Sequence, residues 1–157
     1  MRVGIGYDIH KLTDDEQPVL KLAGTIIPYT KKLFAYSDGD VVIHALIDAL
    51  LGAAALGDIG THFPDNDPKY KDADSALLLQ NCLKLIEKEN YSIENIDINI
   101  MAEKPKLAPY IYSMRCSLSE IMGIEMTKIS IKSKTNEKLD AIGREEAIAA
   151  QAVVLIA

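Results

Sequence analysis

Apolar and polar residues change period several times along the chain, and each change marks an element. Residues 2–8 alternate with the two-residue period of a strand and end in glycine-spaced polar groups. Residues 18–28 read as a short hairpin or a loop strand, with Gly24-Thr25 as the candidate turn. Ser37-Asp38-Gly39-Asp40 supplies N-cap chemistry for a strongly apolar helix running through about Leu56. The segment 57–68, broken by glycines and prolines, reads as a long polar loop without a regular element. A second helix is expected from Asp74 to Glu89, ending at Asn90. Ile96, Ile98 and Ile100 alternate with Asp97, Asn99 and Met101, as a half-buried strand over Ile93–Ala102 requires. Pro105 and Pro109 bracket a loop leading into a helix that Gly123 stops after Met122. Ile129–Lys134 and Ile148–Ile156 read as the last strands.

Interleaved strands and helices predict a single domain over residues 1–157, of the α/β (α+β) class. Its mixed sheet is of four-stranded type with helices on one face. Within Ala147–Ala157 the one polar residue is Gln151, so the uncovered sheet face is expected to be buried against another subunit.

Composition narrows the function classes. With 48% apolar and 25% charged residues the chain reads as globular, and its formal charge of −6 argues against nucleic-acid or anionic-membrane partners. Cys82 and Cys116 lie far apart in apolar stretches and read as buried free thiols of a reducing compartment. No basic and apolar leader opens the sequence, and its longest apolar run is too short to span a bilayer. The expected location is cytoplasmic, or that of a mature organellar form.

Candidate chemistry begins with Asp8 and His10. Two apart at the end of a strand, they point to one side of the sheet, where a carboxylate and an imidazole can converge on one cation. His44 sits in a helix among Val41, Val42, Ile43, Ala45, Leu46 and Ile47, where an imidazole needs a partner. A histidine satisfied within the core fits that position, and so does a metal ligand. Asp40 and Asp48 lie one turn either side of it. Three such ligands with a fourth position open is the pattern of a catalytic zinc site. Asp58, Asp65 and Asp67 in the acidic loop read either as turn caps or as groups for substrate hydroxyls or a second cation. Lys104-Pro105-Lys106 and the run from Lys132 to Lys138 put cations and hydroxyls at strand ends. That reads either as solvated surface charge or as a ligand site where Glu137 can carry a magnesium ion bound to a diphosphate. Neither a P-loop nor a dinucleotide glycine motif occurs.

Taken together, Gly-Tyr-Asp-Ile-His at 6–10, Ser-Asp-Gly-Asp at 37–40, the run from His44 to Gly60, Phe-Pro-Asp-Asn-Asp-Pro at 63–68 and Thr-Asn-Glu-Lys-Leu at 135–139 closely resemble the 2-C-methyl-D-erythritol 2,4-cyclodiphosphate synthase family. The resemblance runs nearly end to end. It implies conversion of a cytidine-diphosphate-linked methylerythritol 2-phosphate into the cyclic diphosphate with release of CMP, in non-mevalonate isoprenoid biosynthesis. It also implies a homotrimer with active sites between subunits and sheets facing one another around a three-fold axis. By matching positions, Asp8, His10 and His44 are the implied zinc ligands, and Glu137 meets the magnesium or manganese that bridges the substrate's phosphates. The methylerythritol phosphate part falls to Ser37, Asp58, Ile59 and Gly60 with Phe63, Pro64, Asp65, Asn66 and Asp67, and Ile9 lies between the first two ligands. The cytidine and phosphate pocket falls to Ala102, Glu103, Lys104, Pro105, Lys106, Leu107 and Ala108 with Lys134, Thr135 and Asn136, Thr135 lying near the reacting phosphate.

The chain departs from the family in places. Tyr36 stands where a histidine credited with stabilising the transition state is frequent; a phenol donates a hydrogen bond but carries no positive charge near neutral pH. Ala141 replaces a common aromatic, and Arg144-Glu145-Glu146-Ala147 replaces a more glycine-rich run in which Arg144 itself matches. These changes alter the axial channel that holds an isoprenoid diphosphate in some members. From the residues alone, a zinc phosphohydrolase and a metal-stabilised binding module are the competing readings.

Overall fold

In the computed structural model, which describes residues 1–157, one mixed sheet takes the strand order β4-β1-β7-β5-β6. These strands are β1 (Arg2–Asp14), β4 (Lys31–Phe34), β5 (Ile93–Met101), β6 (Ile129–Lys134) and β7 (Ala147–Ile156). A separate hairpin joins β2 (Leu20–Leu22) to β3 (Thr25–Ile27). The sheet therefore has five strands where four are expected. The additional one, β4, is four residues long and half-exposed at the edge, too short to carry a period.

β1 also runs further than its predicted end at residue 8. His10 and Lys11 pair with Ile148 and Ala147 of β7, and Lys11–Asp14 pair with Phe34–Lys31 of β4. Asp8 and His10 thus lie mid-strand and not at a strand end, paired with Ala150 and Ile148 of β7 and followed directly by the segment that pairs with β4. β7 is central, antiparallel to both β1 and β5, while β5 and β6 run parallel.

Helix α1 (Val41–Ala54) lies across β1 and β7. Asp40 caps it by accepting from the Ile43 amide, and Ala55 ends it in the left-handed region at φ 59°. That cap stops the helix before Leu56, the predicted limit. Gly4 and Gly6 of β1 face α1, and a Cβ at either would overlap a backbone carbonyl of that helix, at Ala49 and Ala45 respectively. Glycine is therefore required for this close strand–helix approach. Asp40 further accepts from the Ala23 and Gly24 amides at 2.9 and 2.7 Å, tying the small hairpin to the start of α1.

The predicted polar loop contains two short capped turns: helix α2 (Ile59–His62), capped by Asp58, and a 3-10 turn at Pro68–Tyr70, capped by Asp67. Beyond it, α3 (Ser75–Lys88) packs on α1, and α4 (Ile111–Met122), ended by Gly123, packs on β6. One-turn helix α5 (Asp140–Gly143) leads into β7. All three long helices cover one sheet face. On the other, Val3, Ile5, Tyr7 and Ile9 of β1 alternate outward, 67%, 63%, 53% and 43% exposed, beside Val153 of β7. Cys82 is buried as expected, whereas Cys116 is only half-buried; neither is in a disulfide. No helix is long and apolar enough to cross a membrane.

Candidate metal centre and active site

Asp8 and His10 share the β1 face that meets α1, and His44 enters from the helix. Asp8 Oδ2 lies 2.9 Å from His10 Nε2 and 3.0 Å from His44 Nδ1. The two imidazole nitrogens are 3.0 Å apart. Three atoms that each bear a lone pair in their unprotonated forms thus close a nearly equilateral triangle. Ligands about 2 Å from a tetrahedral zinc are about 3.3 Å apart, so this donor set fits such an ion with little adjustment. It is also the one cluster of histidine, cysteine and carboxylate groups in the chain close enough to share a metal.

The surroundings favour the cation further. Burial raises the Asp8 carboxyl, but hydrogen bonds and charge from His10 and His44 outweigh it and hold the group well below the ordinary carboxylate range. The reverse holds at Asp48, one turn along α1. Burial first, then the charges of Asp58 and Asp8, raise its carboxyl above the ordinary value, even though it accepts from the Ile59 amide at 2.7 Å. That bond fastens the start of α2 to α1 and fixes one wall of the site.

A cavity of about 320 Å³ opens beside the triangle. Asp8 and His44 line it together with Tyr36, Ser37, Asp48, Ile59, Gly60, Phe63, Pro64 and Asp65. Tyr70, outside the predicted set, closes its apolar side with an edge-to-face contact on Phe63 at 5.6 Å. Tyr36 Oη donates to the carbonyl of Asp67 at 3.4 Å. Three residues of the acidic loop stand outside the lining: Asp58, Asn66 and Asp67. Asp58 accepts from the Thr61 amide and hydroxyl, and Asp67 accepts from the Lys69 amide and pairs with Lys69 Nζ at 3.1 Å. Their carboxylates act as turn caps here, the plainer of the two readings the sequence allows.

The lysine-bearing strand ends form a separate cavity of about 150 Å³, lined by Ala102, Glu103, Pro105, Lys106, Leu107, Ala108, Lys134 and Thr135. Beside it, Thr135 donates to Glu137 at 3.0 Å, and Asn136 donates to Asp140 at 2.9 Å. Glu137 and Lys138 both hold left-handed backbone, φ 51° and 65°, which L-residues adopt only when their surroundings fix it. Lys104 is drawn to Glu145 at 3.3 Å. Ile9 and Ala141 lie together at a third, open depression, with Arg144 forked onto Glu146. Within one chain the predicted residues thus fall into three places and not into one pocket.

One participant escapes the sequence. Ser75, fully buried at the start of α3, sets its hydroxyl 2.9 Å from His44 Nε2, next to Ser37 at 3.1 Å. Nothing in Asp74-Ser75 distinguishes an ordinary helix start from a group beside the candidate metal triad. Only the packing of α3 on α1 brings it there.

Known proteins match the chain along its whole length. The YgbB family matches residues 1–157. The 2-C-methyl-D-erythritol 2,4-cyclodiphosphate synthase of Prosthecochloris aestuarii is 53% identical over 156 residues, spanning 99% of this chain and 98% of that protein. Among solved structures, IspF of Plasmodium falciparum in a CDP complex superposes with a TM-score of 0.85 at 39% identity, over 99% of this chain and 94% of its own. The bifunctional IspDF of Campylobacter jejuni superposes with a TM-score of 0.94 at 39% identity; there the matched part is 99% of this chain but 42% of the longer one.

Proposed function

The chain belongs to the YgbB family, and from that premise we propose that it converts 4-diphosphocytidyl-2-C-methyl-D-erythritol 2-phosphate into 2-C-methyl-D-erythritol 2,4-cyclodiphosphate and CMP. It is then a phosphorus–oxygen lyase of the non-mevalonate isoprenoid pathway. The observation that carries the reading is the meeting of Asp8, His10 and His44 at one edge of a cavity lined by Ser37, Gly60 and Asp65. We assign that triad to zinc, and Glu137 to magnesium or manganese held with the substrate diphosphate. Two free thiols agree with a cytoplasmic setting.

An oxygen of the 2-phosphate attacks the β-phosphorus, and the bond from that phosphorus to the CMP oxygen breaks. Bound metal ions supply the positive charge that lets two anions approach. The chain's own task is to hold the reacting groups in line and to exclude water. Ser37 and the Gly60 backbone lie where they can fix the attacking phosphate, and Tyr36 can donate to a phosphate oxygen. Phe63, Pro64 and Tyr70 form the wall that keeps solvent out. Lys106, Lys134 and Thr135 sit where the cytidylyl phosphates can be held. Analysis of the products tests the reading: equal amounts of CMP and cyclic diphosphate are expected, whereas linear phosphates would point to hydrolysis.

The separation of the two cavities supports an active site completed by a second copy, and the open sheet face supplies the means of assembly. Val3, Ile5, Tyr7 and Ile9 form an apolar stripe, and fully burying each aliphatic member would contribute about 1.5–3 kcal/mol. We place this face on the axis of a homotrimer. Ile5→Asp is expected to convert a trimer into monomers in light scattering. A variant that keeps the trimer mass would argue against this interface.

Glu137→Gln tests the second metal. It keeps the shape and an acceptor for Thr135 but removes the charge, so magnesium-dependent turnover should fall about tenfold or more while zinc content stays that of the wild type. Unchanged turnover would remove Glu137 from the metal site.

A further inference from the structure

His44 has two ring nitrogens, and only one tautomer serves a metal. Nδ1 faces Asp8 and His10; to ligate a metal there it must offer its lone pair, which puts the proton on Nε2. Without the metal, the Asp8 carboxylate 3.0 Å away competes for a proton on Nδ1. The partners at Nε2 decide whether that proton is held there against the pull of Asp8 at Nδ1. Ser75 Oγ lies 2.9 Å away and Ser37 Oγ 3.1 Å away, and a hydroxyl can either give or take a hydrogen bond.

At Ser75 that freedom is removed. Its hydroxyl donates to Asp38 Oδ1 in a close contact, and its amide donates to Asp38 Oδ2 at 3.2 Å. Lys21 Nζ, reaching across from the small hairpin, donates to the same Oδ2 at 2.9 Å and to Asp74 at 2.7 Å. Burial raises the Asp38 carboxyl, but the bonds from Ser75 and Lys21 prevail and hold it below the ordinary range. An ionised carboxylate only accepts. Ser75 must therefore spend its one proton on Asp38 and present a lone pair to His44.

We propose that Asp38 and Ser75 are positioning residues that set the tautomer of His44, with Lys21 holding Asp38 in place, so that a hydrogen-bond relay ending at the hairpin prepares the metal triad. The inference rests on the zinc reading above for its purpose, but its geometry belongs to the protein itself. The relay also links three segments distant in sequence: the hairpin, the loop before α1 and the start of α3. Partners that orient a ligating histidine typically change metal affinity by about 10–100-fold when removed.

Asp38→Asn reverses the polarity of the relay. Lys21 and the Ser75 amide donate to the Oδ2 position at 2.9 and 3.2 Å, against one longer bond of 3.3 Å from the Asp40 amide to Oδ1. The new carbonyl oxygen therefore belongs at Oδ2, and the amide nitrogen faces Ser75. Ser75 then accepts from Asn and has its proton free for His44 Nε2. Long-range nitrogen–proton NMR of the imidazoles, on metal-free protein at pH 8, reads this directly. The wild type is expected to show His44 protonated on Nε2, and Asp38→Asn to show it protonated on Nδ1. Zinc affinity by chelator competition should fall about 10–100-fold in Asp38→Asn. Lys21→Met breaks the same ion pairs yet leaves an accepting carboxylate, so it should keep the Nε2 proton and lose less affinity.

A wild-type His44 protonated on Nδ1 would overturn the relay without any variant. So would an Asp38→Asn protein that binds zinc within threefold of the wild type. Should Asp38→Asn not fold, Ser75→Ala gives the same comparison, with mixed tautomers expected and an unchanged Nε2–H signal contradicting. Failure of the zinc reading is separate: wild-type protein would then bind no zinc, whatever its tautomer.

Discussion

His44→Ala is expected to leave a folded protein that retains no zinc and turns over at least about a thousandfold more slowly, the scale of several kcal/mol of lost charge stabilisation. The loss at the site is large because His44 Nδ1 is one corner of a three-atom set, and Asp8 with His10 alone leaves two ligands. The cost to the fold is small because α1 is anchored by other side chains. Ile43, Leu46, Ile47, Leu50 and Leu51 are all fully buried around it, and Asp40 still caps the helix. Metal analysis after gel filtration, with circular dichroism on the same sample, separates the two effects. Full zinc occupancy in the variant would remove His44 from the ligand set.

Gly6→Ala carries the second large effect, on stability. A methyl group there overlaps the carbonyl oxygen of Ala45 and comes within 2.7 Å of the Ala49 amide nitrogen. Both are backbone atoms of α1, which cannot turn aside as a side chain can. The strand and helix must separate, at a cost of about 3 kcal/mol or more, the upper end for overpacked cores. The same movement draws His44 away from Asp8 and His10, so zinc affinity should fall as well. Gly52→Ala is the control: its Cβ would meet nothing closer than the Ile5 carbonyl at 3.9 Å, and it should be neutral or stabilising by about 0.5–1 kcal/mol. Urea midpoints read both. An unshifted midpoint in Gly6→Ala would mean that the strand–helix contact yields more easily than the packing implies.

Much of the centre is legible in the chain because its residues violate their surroundings. A histidine between Ile43 and Ala45 in a buried helix is unusual, and Asp8 and His10 break an alternating strand on the same side. The family motifs then supply a purpose that the three ligands alone do not. Other features depend on tertiary contact. Asp58 and Asp67 look as available as Asp65 in sequence, yet their side chains close on local amides while Asp65 reaches the cavity. Ser75 reads as a helix start and becomes a partner of His44 only when α3 settles against α1. β4 has too few residues to show a period, and β1 continues past Asp8 because β4 and β7 pair with it, not because its own pattern persists. The glycines at 4 and 6 read as strand punctuation but are the clearance for α1.

The most direct test of the central claim is the fate of solvent oxygen. Turnover of the cytidylyl substrate in water enriched in oxygen-18, followed by mass spectrometry of both products, shows whether a phosphate of the substrate or a water molecule attacks the β-phosphorus. CMP and a cyclic diphosphate are expected, neither carrying the label, with no product at all after chelation. A linear product carrying one labelled oxygen would contradict the central claim.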